Sequence, residues 1–91
     1  MTRILVVEDE EFLARALKDN IGLEGYGVEI ARDGEEAMRS VETKKPDLIL
    51  LDLLMPKKDG FAVIEELKRH PEWQLIPVIV LSNLGSYRDI K

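Results

Sequence analysis

Cysteine is absent from the chain, which removes disulfides and thiolate–zinc sites from consideration. Aromatic residues are scarce at 5%, and there is a single histidine, so imidazole-rich metal or catalytic clusters are excluded as well. No apolar run approaches the ~20 residues that a bilayer-spanning helix needs. The opening residues, MTRILVV, carry one basic side chain and lack the small-residue cleavage pattern of a signal peptide. The default compartment on these grounds is the cytoplasm. A net charge of −5 argues against direct nucleic-acid binding by this segment, because binding phosphate backbones needs a basic face.

What is present fits one small soluble domain of 91 residues, 45% hydrophobic and 34% charged. A chain this short buries only about 60–65% of its unfolded surface, so its margin of stability is thin. Two kinds of segment alternate along it. Residues 3–7 (RILVV), 27–31 (GVEIA), 47–51 (DLILL) and 76–81 (IPVIVL) are short and rich in Val, Ile and Leu. Three of these are nearly continuous apolar runs, as expected of parallel strands covered on both faces. The second alternates Val28 and Ile30 with Glu29, which predicts an edge strand.

The segments between them read as helices. Within residues 10–26, Phe12, Leu13, Ala16, Leu17 and Ile21 recur at three- and four-residue spacing, and Gly25 and Gly27 punctuate the end. Residues 33–45 read as a second helix, capped by Asp33 and stopped before Pro46. Residues 59–70 repeat the plan with Asp59 and Pro71, and the start of a fourth helix is expected after Leu81. The order β-α-β-α-β-α-β predicts right-handed crossovers and an α/β fold, a doubly wound parallel sheet in three αβα layers.

In such a sheet, ligands bind beyond the carboxyl ends of the strands. Those ends deliver Glu8, Asp9 and Glu10 from the first strand, Asp52 from the third, and Ser82 and Asn83 from the fourth. Acids after a strand often do no more than cap the next helix, and a Ser there does the same. Asp52 resists that reading, because it closes the apolar run LILLD and is followed by LLMP instead of a helix it could cap. Carboxylates converging at one sheet edge repel each other and raise one another's pKa unless a cation sits among them. Oxygen-only ligands with spare positions suit Mg2+.

Three stretches, RILVVEDEEFL, PDLILLDLLMPKKDGFAVIEELK and PVIVLSN, resemble the receiver domain of response regulators, the phospho-accepting half of two-component signalling. The resemblance covers essentially the whole chain. It implies the flavodoxin-like strand order 2-1-3-4 and residues 1–91 as a single receiver domain. Asp52 is implied as phosphoacceptor, and Ser82 as the hydroxyl that bonds the phosphoryl group and switches on its arrival. Asp9 directly, Glu8 through water, Asp52 and the backbone carbonyl of Leu54 are implied as ligands of Mg2+. Pro56 and Gly60 match the loop that keeps Asp52 at its strand end, while Glu10 and Asn83 lie beside the site.

The implied partner is a sensor histidine kinase or a phosphotransfer protein. The implied role is a signalling phosphoacceptor and not a turnover enzyme, with at most self-phosphorylation from small donors and autodephosphorylation. A receiver also carries a fifth strand, a fifth helix and a lysine after that strand, and this chain reads as truncated before them. The exposed edge then predicts a homo-oligomer. The alternative is a non-switching, self-associating fragment. A hydrolase with an aspartyl nucleophile is disfavoured, because position 54, where such an enzyme has its second Asp, is Leu. His70 is expected at the surface, and Trp73 and Phe61 are expected to pack locally.

Overall fold

The computed structural model describes residues 1–52 and 60–81. Four strands and three helices alternate: β1 (Arg3–Val7), α1 (Glu11–Leu23), β2 (Gly27–Ala31), α2 (Gly34–Thr43), β3 (Leu48–Asp52), α3 (Gly60–Arg69) and β4 (Val78–Leu81). The strands form one parallel sheet in the order β2-β1-β3-β4, which is the expected doubly wound arrangement. β2 lies at an edge, as its alternating pattern implies. The expected fourth helix falls outside the described residues.

Two strand boundaries differ from the sequence reading. β3 begins one residue later than expected and takes in Asp52 as its last residue. The Asp47 carboxylate instead accepts a hydrogen bond from the Arg3 N–H at 2.8 Å, and its own N–H donates to the Arg3 carbonyl. β4 starts at Val78, after Pro77, which has no N–H to give to a ladder.

Side-chain alternation gives the sheet two different faces. Leu5, Val7, Ile49 and Leu51 point to the face covered by α2 and α3, and with Ala37, Met38, Val41, Val63 and Leu67 they make the core. Trp73 and Ile76, from the turn after α3, close this core at its margin, and the Trp73 ring lies 4.4 Å from that of His70. Trp73 therefore packs locally as expected, with His70 half-buried against it. α1 covers the opposite face over β1 and β2.

Local chemistry sets the helix ends. Asp33 caps α2 by accepting from the Glu36 N–H at 2.9 Å, and Glu36 reaches back to the Arg32 N–H. After α1 the chain turns through Gly25 at φ 97°, a left-handed conformation that side chains resist. The apolar stripe on α1 is shifted from the expected one. Ala14 is its buried residue, with Ala16, Leu17 and Ile21 half-buried, whereas Phe12 is 81% exposed. Among the described residues, no helix is long and apolar enough to cross a membrane.

Two substitutions gauge these contributions by urea denaturation. Ile49→Ala, at a fully buried position, is expected to cost about 3 kcal/mol. Asp33→Ala, which removes only a cap, is expected to cost about 1 kcal/mol.

Candidate functional site

β1 and β3 are paired with Val7 opposite Leu51, so the next residue on each strand stands level with its counterpart. Those residues are Glu8 and Asp52. Both are fully buried, and the Glu8 N–H donates to the Ala31 carbonyl at 2.9 Å, which holds the chain in extended form past the end of β1. Asp9 follows at an exposed position. Glu8, Asp9 and Asp52 each bring a carboxylate oxygen to within 4.8 Å of the others.

The fourth acid of the group has a different task. The Glu10 side chain accepts from the Leu13 N–H at 2.9 Å and so caps α1. Among the acids after β1 the helix-capping reading therefore holds for Glu10. Glu10 also donates its own N–H to Glu8 Oε2 at 3.1 Å. Glu8 Oε1 is buried and finds no hydrogen-bond partner among the described residues.

Burial is the main reason the Glu8 carboxyl is pushed up to about 7 from an ordinary 4.5. The Asp52 carboxyl beside it raises it further, Asp9 adds a smaller like-charge push, and the Glu10 N–H acts in the opposite direction. A buried carboxylate oxygen without a donor, set between two further carboxylates, fits a hard divalent cation with oxygen ligands. The donor set contains no nitrogen or sulfur that would favour a softer metal.

Of the other residues expected at the site, Ser82, Asn83, Leu54 and Pro56 lie outside the described residues. Leu81, the last residue of β4, stands opposite Asp52 in the β3–β4 register. Gly60 is buried as the first residue of α3. Phe61, expected to pack locally, is 61% exposed: the buried positions of α3 are Gly60, Val63 and Leu67, and Phe61 falls off that stripe.

The family model for the response regulator receiver domain matches residues 4–91. The chain belongs to that family. It is thus a phospho-accepting module, of the kind that receives its phosphoryl group from histidine kinases or small phosphodonors. Over 80 residues, 88% of the chain, it is 44% identical to the alkaline phosphatase synthesis transcriptional regulatory protein PhoP of Bacillus subtilis, and the match covers 32% of that protein. The chain spans about a third of the length of the curated relatives it matches. The crystal structure of a receiver domain from a signal transduction histidine kinase of Syntrophus aciditrophicus superposes with a TM-score of 0.87. That domain is 42% identical, and the match covers 99% of this chain and 68% of that one. The Mn2+-bound form of response regulator Rcp1 superposes with a TM-score of 0.85 at 34% identity, over 99% of this chain and 71% of that one.

The raised Glu8 pKa links stability to pH with a definite sign. Unfolded, Glu8 ionises near 4.5; folded, it does so near 7. Its contribution is complete below the unfolded value and is lost as pH rises through about 7, by about 3 kcal/mol in all. Urea titrations in chelator from pH 4 to 8 should record that decline, and Glu8→Gln should flatten it. An equally steep decline in the variant would assign the effect to other groups.

Proposed function

We propose that Asp52 is the phosphoacceptor of this receiver, a unit formed by residues 1–91 and working in the cytoplasm. Asp9 and Asp52 would ligate Mg2+ directly, with Glu8 holding a bound water and the Leu54 carbonyl completing the protein's share. The observation that carries this reading is the meeting of three carboxylate oxygens at the carboxyl edge of β1 and β3, one strand pair apart, with Glu8 Oε1 buried and unpartnered. The Mn2+-bound form of response regulator Rcp1 is consistent with a divalent cation in a receiver of this fold.

In the transfer, an Asp52 carboxylate oxygen attacks the phosphorus of a phosphohistidine on a sensor kinase or phosphotransfer protein. The O–P bond forms as the P–N bond breaks, and the departing imidazole takes up a proton. When bound, Mg2+ supplies positive charge against the phosphoryl oxygens. Asp52 ends β3, and its backbone is paired with Leu81 of β4, which fixes where its side chain leaves the sheet. The resemblance gives the Ser82 hydroxyl the task of donating to a phosphoryl oxygen. Attack by water on the same phosphorus then restores the carboxylate and releases phosphate, which limits any enzymatic character to self-phosphorylation from small donors and autodephosphorylation.

Incubation with acetyl phosphate and Mg2+, followed by intact mass measurement, tests the reading. One phosphoryl adduct is expected, abolished in Asp52→Asn and by chelation, and formed about a hundredfold more slowly in Asp9→Asn. An adduct that persists in Asp52→Asn would overturn the assignment of the acceptor. Absence of any adduct in the parent chain would favour a non-switching fragment.

A further inference from the structure

The residue that separates the acid cluster from α1 is fastened to both. Glu10 makes three hydrogen bonds, each through a different group. Its carboxylate accepts from the Leu13 N–H at 2.9 Å, and its carbonyl accepts from the Ala14 N–H at 2.9 Å. Those two bonds tie it to the first turn of α1. Its own N–H donates in the other direction, to Glu8 Oε2 at 3.1 Å.

The helix is a firm support for such a link. Ala14, whose N–H bonds the Glu10 carbonyl, is 3% exposed, and α1 packs over β1 and β2. A side-chain cap satisfies an N–H that has no partner within its own helix, so losing the cap lets the first turn fray. The peptide unit that presents the Glu10 N–H belongs to that turn. At the other end of the segment, the Glu8 N–H is bound to the Ala31 carbonyl at 2.9 Å. Asp9 is the single residue between these fastenings, and its backbone is held from both sides.

The bond to Oε2 also divides the Glu8 carboxylate into two unlike oxygens. Oε2 is engaged by the Glu10 N–H, whereas Oε1 is buried and finds no hydrogen-bond partner among the described residues. A carboxylate held by one oxygen presents the other in a defined direction, which is how groups behind a metal's own ligands tune its affinity. We infer that Glu10 is a positioning residue for the metal acids. By capping α1, it fixes the N–H that orients Glu8 and the backbone that carries Asp9. The freedom these side chains would lose on closing round an ion is then already lost on folding, which strengthens binding. This role depends on the Mg2+ reading proposed above for Glu8, Asp9 and Asp52.

A simpler role for Glu10 is that of one more negative charge near a cation. Asparagine separates the two, because it is a favoured cap residue without a charge, whereas alanine neither caps nor carries one. Titration with MgCl2 alone, followed through backbone amide shifts in 1H–15N NMR spectra, gives the affinity and confirms that each variant is folded. Glu10→Ala should bind Mg2+ about tenfold more weakly than the parent, and Glu10→Asn should bind as the parent does. In chelator, the amide of position 10 should exchange with solvent faster in Glu10→Ala and at the parent's rate in Glu10→Asn. Val41→Ala, in the core of α2, should lower stability and leave Mg2+ affinity unchanged. Parent-like affinity in Glu10→Ala would overturn the inference, as would a Glu10→Asn that binds as weakly as Glu10→Ala. A parent chain that does not respond to Mg2+ would instead sink the metal reading itself, and the role of Glu10 with it.

Discussion

The pairing of β1 with β3 is the constraint from which the site follows. Once Val7 stands opposite Leu51, Glu8 and Asp52 must stand side by side, and the apolar residues beneath them exclude water from both. Like charges held together away from solvent are unfavourable: burial and the neighbouring Asp52 raise the Glu8 pKa, against the opposing pull of the Glu10 N–H. The register is enforced from below, where Leu5, Ile49 and Leu51 interlock with α2 and α3, and a slip of one residue would turn all of these side chains to the wrong face. Core packing thus imposes on the acids a proximity they would not adopt unaided.

Much of this was legible in the residues because it depends on local rules. Continuous apolar runs bounded by Gly, Pro and Asp gave the four parallel strands, Asp33 gave the α2 cap, and LILLD followed by LLMP marked Asp52 as an acid with no helix to cap. The family resemblance implied Asp52 as acceptor and Glu8, Asp9 and Asp52 as metal acids, and the structure brings those three carboxylates together. What escaped the sequence depends on tertiary placement. Phe12 sits at the right spacing for the α1 stripe, yet the rotation of α1 on the sheet is set by Ala14, whose small side chain permits close approach, and this turns Phe12 outward. Phe61 is displaced from the α3 core in the same way by Gly60, Val63 and Leu67. Periodicity fixes the spacing of a stripe but leaves its phase to the partner surface.

The division of labour within EDEE shows the same limit. Three of its four acids sit at a strand end where capping and ligation are both chemically open, and composition does not separate them. The backbone does. Glu10 is the residue before α1 in extended conformation, with φ −84° and ψ 110°, and so its carboxylate meets the Leu13 N–H. Glu8 is still within the reach of the sheet, its N–H bound to Ala31, and its side chain is directed into the interior beside Asp52. Asp9, one residue after Glu8, is exposed, as expected where successive side chains of an extended chain point to opposite faces.

A protein that buries two neighbouring acids at neutral pH must hold a proton between them, bind a cation, or lose stability. The raised pKa of Glu8 is the first of these alternatives, and the three converging oxygens are the geometry for the second. The two are linked, because a cation entering the cluster displaces the proton that Glu8 holds when the site is empty of charge. The strain that burial places on the acids is therefore what makes the site receptive. Glu8 and Asp52, the buried carboxylates that β1 and β3 deliver among the described residues, both stand at the carboxyl edge, where a cation can reach them without entering the core.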